Sequence, residues 1–130
     1  MKNGRLLYGL LLLVLIAVLA FSGCQAASFR GSRVCNPNRY SLDFSYMAGE
    51  DSWPMALEGS DTLHMEWEIR KGTVDIALLS ESGESVYRAN GVGRREAASF
   101  EVVIPETGTY TIWVYAAGAE GHIGIEKTEK

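Results

Sequence analysis

Polar and apolar residues alternate along most of the chain beyond residue 40. In TLHMEWEI, Leu63, Met65, Trp67 and Ile69 fall on one side of an extended backbone, and His64, Glu66 and Glu68 on the other. In SFEVVI, Phe100, Val102 and Ile104 alternate with Ser99, Glu101 and Val103. Successive strand residues point to opposite faces, so this period puts one face on a core and the other in water. TVDIALL and TYTIWVYAA are more continuously apolar, as expected of strands nearer a centre. Between the runs lie Lys71-Gly72, Ser82-Gly83-Glu84, Asn90-Gly91, Thr107-Gly108 and Gly118 to Gly121, the residues that tight turns use. The pattern predicts seven strands, near 40–47, 61–70, 73–80, 84–89, 97–104, 109–117 and 121–127, with room for a short eighth in SWPMALEGSD. Short strands at nearly even spacing predict an all-β, antiparallel sandwich.

The start of the chain is built differently. Lys2 and Arg5 precede LLYGLLLLVLIAVLAF, Leu6 to Phe21, which carries no charge. A spanning helix needs about 20 apolar residues. The shorter run, with its positive flank, reads as the helix of a secretory signal over residues 1–23. Ser22 and Gly23 then lead to Cys24. This stretch resembles a bacterial lipoprotein signal peptide, in which two small residues precede a cysteine that is acylated and becomes the first mature residue. Phe21 departs from the leucine usual at its position. The resemblance implies that Cys24 carries the lipid (diacylglycerol, with palmitate-like chains) and that the protein is held at a membrane, facing outside the cytoplasm. The alternatives are an ordinary secretory signal, which leaves Cys24 a thiol, and an uncleaved anchor.

From Gln25 to Arg39 the chain reads QAASFRGSRVCNPNR, with three arginines, no acidic residue and no periodicity. Residues 24–39 are therefore expected to be a lipidated cysteine and flexible linker, about 20 Å end to end, before a domain at 40–130. Cys35 is expected as an unpaired thiol if Cys24 is acylated, and as its disulfide partner if not. The full chain has a formal charge of −4; without Lys2 and Arg5, ten basic residues face sixteen acidic ones, or −6. That balance disfavours a nucleic-acid partner.

EWEIRKGTVDIALLSESGESVYR and FEVVIPETGTYTIWVYAAGAEGHIGIE resemble the bacterial pre-peptidase C-terminal and Golgi-dynamics (GOLD) domains. The likeness rests on Gly72, on Val74-Asp75-Ile76 and on Gly108-Thr109-Tyr110. It implies a jelly-roll-like sandwich with an accessory or interaction role, and carries over no site. No H-E-x-x-H, G-x-S-x-G or P-loop is present, so no enzyme is expected, and no cofactor. His64, Glu66 and Glu68 share a strand face, with His122 as a further ligand candidate on the last strand, yet polar residues on the water side of a strand need no metal, and none is expected. Glu50 and Asp51 lack the spaced ligands of a calcium loop. Trp53, beside Pro54 in a loop, and the strand pair Trp113 and Tyr115 are the candidate contact residues. The sequence thus predicts a non-catalytic protein-interaction module at the cell envelope, or a glycan or cell-wall binder using those aromatics.

Overall fold

A computed structural model describes residues 28–128. The signal segment and Cys24 lie outside the described residues. Six strands make up the fold: β1 (Phe29–Asn36), β2 (Arg39–Leu57), β3 (Thr62–Leu79), β4 (Ser85–Val92), β5 (Glu96–Val103) and β6 (Gly108–Thr128). All pairings are antiparallel. The order is β1-β2-β6-β3-β4, with β5 pairing β3 as well.

β2, β3 and β6 are each long enough to serve twice. The first half of β3 pairs β5 and the last part of β6; its second half pairs β4 and the first part of β6. β2 follows β6 along the same course, and β1 pairs only the first half of β2. The three strands bend together, at register shifts between Phe44 and Gly49 in β2 and between Ile69 and Thr73 in β3, both against the 116–121 stretch of β6. The result is a sandwich. One layer holds β1, β5 and the halves of β2, β3 and β6 at 39–47, 62–69 and 119–128. The other holds β4 and the halves at 49–57, 73–79 and 108–116.

Each bend carries an extra residue, which switches the parity of the buried positions. In β3 these are Leu63, Met65, Trp67 and Ile69, then Val74, Ile76 and Leu78. In β6 they are Tyr110, Ile112, Val114 and Ala116, then Ala119, Ile123 and Ile125. Both sets join one core with Tyr40, Leu42, Phe44, Met55 and Leu57 of β2. Full burial of an isoleucine or leucine contributes about 1.5–3 kcal/mol, and β3 and β6, paired through both layers, supply the two longest rows. Gly72 has φ +70, and a Cβ there would run into the carbonyl of Gly118, so the bend brings two backbones closer than a side chain allows.

Two expectations are corrected. There are six strands, because 61–70 and 73–80 form one bent strand, as do 109–117 and 121–127, and SWPMALEGSD continues β2 as far as Leu57. Residues 29–36, expected as flexible linker, form β1. Backbone pairing with β2 and the grip of Arg33 on Asp51 hold them there.

Candidate functional site

The outer face of the second layer is built from residues whose neighbours along each strand point into the core. Two rows cross it. Ser52 of β2, Trp113 of β6, Ala77 of β3 and Arg88 of β4 stand opposite one another in register, and Glu50, Tyr115 and Asp75 form the next row. The Trp113 and Tyr115 rings stack, with centroids 6.4 Å apart and planes 12° from parallel. Trp113 Nε1 donates to Glu50 Oε2 at 2.7 Å, fixing the indole. The Arg88 guanidinium lies 5.8 Å from the Trp113 ring centroid and donates through Nε to Ser85 Oγ at 3.1 Å. Ala77 is fully buried although it faces outward, because the larger side chains beside it cover it. Asp75 accepts from the Gly91 amide at 2.6 Å. Tyr115 remains 44% exposed. The stacked pair forms an aromatic patch whose exposed member is Tyr115, with Arg88 over the Trp113 ring and Glu50, Asp75 and Ser52 beside it.

Trp53 is not part of this face. It lies in β2 rather than in a loop, on the opposite side of the strand from Ser52, and is half-buried. Its Nε1 donates to the Asn36 carbonyl at 3.1 Å, and Arg33 lies 5.8 Å from its ring centroid. Arg33 also donates to Asp51 Oδ2 at 2.8 Å, which accepts from the Tyr40 hydroxyl at 2.7 Å. This group closes one side of the sandwich, where β1 meets the second layer. Hydrogen bonding to Asp51 raises the Arg33 pKa, and burial followed by the Asp51 charge pushes the Tyr40 hydroxyl far above the usual tyrosine range. Burial also raises the Cys35 thiol, a free cysteine among the described residues.

On the outer face of the first layer, His122 reaches Asp43 Oδ1 through Nδ1 at 2.7 Å and Glu66 Oε1 through Nε2 at 3.2 Å. A side chain on Gly124 would crowd Glu66 and His122, so this glycine makes room for the pair. His64 Nε2 lies 3.2 Å from Ser99 Oγ and 3.7 Å from Glu66 Oε2. Glu66 therefore approaches the nitrogen that already faces the serine, whereas a catalytic triad places its carboxylate on the opposite ring nitrogen. Among the described residues no group of three or more histidine, cysteine or acidic side chains is arranged to hold a metal. The sequence brought His64, Glu66 and His122 together by strand period; Asp43 and Ser99 required the register. Glu50 and Asp51 face opposite sides of β2, one held by Trp113 and the other by Arg33.

No known protein family matches the sequence, and neither does any curated protein. Among solved structures, the chain is similar to PliG, a periplasmic inhibitor of g-type lysozyme from Aeromonas hydrophila. The identity is 12% and the TM-score 0.50, over 72% of this chain and 89% of that one. It is also similar to the pre-peptidase C-terminal domain of a Bacillus anthracis collagenase, with 14% identity and a TM-score of 0.46 over 75% and 89% of the two chains. A carbohydrate-binding module of a Cellvibrio mixtus lichenase follows, with 11% identity and a TM-score of 0.42 over 79% and 88%. Identity this low speaks for the fold alone, and the first of these likenesses supports the sandwich.

Proposed function

We propose that this protein is a non-catalytic binding module of the bacterial cell envelope, lipid-anchored through Cys24, that holds a cell-wall glycan on the Trp113–Tyr115 face. The observation that carries this reading is the stacked ring pair bordered by Glu50, Asp75, Arg88 and Ser52. The apolar face of a sugar ring packs on an aromatic ring, while polar groups placed around the rim fix its orientation. A protein partner fits the described surface less well, because the exposed large apolar residues there, Val34, Tyr46, Val103 and Tyr115, are scattered over four strands. A stable protein interface needs a contiguous apolar centre.

Retention on insoluble peptidoglycan tests this reading. The chain from Gln25 to Lys130 serves for it, since it holds β1 to β6 and the core residues among the described residues. We expect wild-type retention, a loss of about tenfold or more in Trp113→Ala, equivalent to about 1.4 kcal/mol, and unchanged retention in Trp53→Phe. No retention of the wild type defeats the glycan reading. Retention that survives Trp113→Ala together with Tyr115→Ala defeats the choice of face.

A further inference from the structure

The two ends of the sandwich carry opposite charge, and the chain leaves for its N-terminus from the basic one. At one end β2, β3 and β6 bend between the layers, and the turn between β4 and β5 lies beside them, with the Arg95 amide donating to the Ile69 carbonyl at 2.7 Å. Arg30, Arg70, Lys71, Arg94 and Arg95 are all exposed here, against the carboxylates Glu96 and Glu120 at the bend and Glu50 and Glu68 one residue from it. Glu120 lies 3.3 Å from Arg70 and 3.7 Å from Lys71, so it offsets part of that charge. Tyr46, 45% exposed, stands at the same end, opposite Arg30 in register. The other end gathers the remaining turns, where Glu58 meets Asp61, Gly59 meets Thr107 and Glu81 meets Thr109. Glu58, Asp61, Glu81, Glu84, Glu106 and Glu126 face only Arg39 and Lys127 there among the described residues.

We infer that the bend end is a docking surface for anionic lipid. It rests in part on the anchored reading above, because Ser28 is at this end, its carbonyl accepting from the Ala48 amide at 3.0 Å. Cys24 precedes Ser28 by four residues, which reach at most about 14 Å when fully extended. A lipid on Cys24 thus holds the five cations close to the headgroups. The overall negative charge does not oppose this. A half-strand of about eight residues is about 27 Å long, and the Debye length at physiological salt is about 8 Å, so the acidic end lies outside the field that the basic end meets. Tyr46 places an aromatic ring with a polar tip at the depth where such rings anchor proteins at membranes.

Vesicle sedimentation tests the inference. The chain from Gln25 to Lys130, which has no Cys24, is mixed with phosphatidylcholine vesicles with or without a third of phosphatidylglycerol. We expect binding to the anionic vesicles only, weakening as salt rises. Each basic residue near such a surface changes affinity about fivefold, so Arg30→Gln, Arg94→Gln and Arg95→Gln combined lower it about a hundredfold. The variant with Arg39→Gln, Lys127→Gln and Lys130→Gln has the same net charge and keeps wild-type binding. Equal loss in both variants, or no wild-type binding at low salt, overturns the inference. The intact mass of the full chain taken from membranes reads the anchor separately. Acyl mass on Cys24 without vesicle binding defeats the docking surface alone, and vesicle binding without acyl mass defeats the anchor alone.

Discussion

Tyr40 has no exposed surface, yet its hydroxyl reaches Asp51 Oδ2, which Arg33 also holds. A buried phenol kept neutral beside a carboxylate has a definite pH signature. Below about pH 10 the hydroxyl is protonated in both folded and unfolded chains and contributes no pH dependence. Above that, the unfolded chain loses the proton while the folded one keeps it, so the unfolded state binds fewer protons and stability falls with rising pH. The limiting slope for one group is about 1.4 kcal/mol per pH unit. Urea unfolding from pH 9 to 11.5 is expected to show this fall, and Tyr40→Phe is expected to flatten it by about one proton's worth. An unchanged slope in Tyr40→Phe would mean that the hydroxyl ionises in the folded protein. At this scale the sequence was an uneven guide. Trp113 and Tyr115 were legible as one strand face because residues two apart share a side. Trp53 looked exposed because Pro54 follows it, but its place was set by Arg33 and Asn36 of β1, a strand with no alternation to announce it.

The bends decide the fold at the scale of the element. Gly72 read as a hairpin turn in the sequence, yet a positive φ serves a bulge as well. What separates them is the partner: β6 runs on past the bend beside both halves of β3. The parity change, from Leu63–Ile69 to Val74–Leu78, was visible in the sequence, but a new strand explains it as well as an inserted residue does. Local signals located the apolar runs, while continuity across the bends came from pairings between residues far apart in the chain. The bend also sets a testable cost. Alanine at Gly72 must adopt a positive φ and push against the Gly118 backbone, and such strain costs about 2–4 kcal/mol. A Tm lower by about 10 °C or more is expected from thermal unfolding. A Tm within 2 °C of wild type would mean that the two backbones do not approach as described.

The whole molecule carries chemically different surfaces on its ends and faces. The two sides of the sandwich are closed by Arg33 over Trp53 and by the Trp67, Tyr87 and Phe100 rings, whose centroids lie 4.9–6.0 Å apart. The bend end is basic and the turn end acidic. The outer face of the second layer carries the stacked rings, to one side of the end where Ser28 lies, so the proposed membrane and glycan contacts use different residues. The most direct measurement is an NMR titration of the isotope-labelled chain, Gln25 to Lys130, with soluble peptidoglycan fragments. We expect shifts at the Trp113 indole N–H and at the amides of Glu50, Ser52, Asp75 and Arg88, with β1 and β5 unmoved. Shifts confined to the turn end or to the first layer, or none at all with fragments in excess, would contradict the assignment of this face.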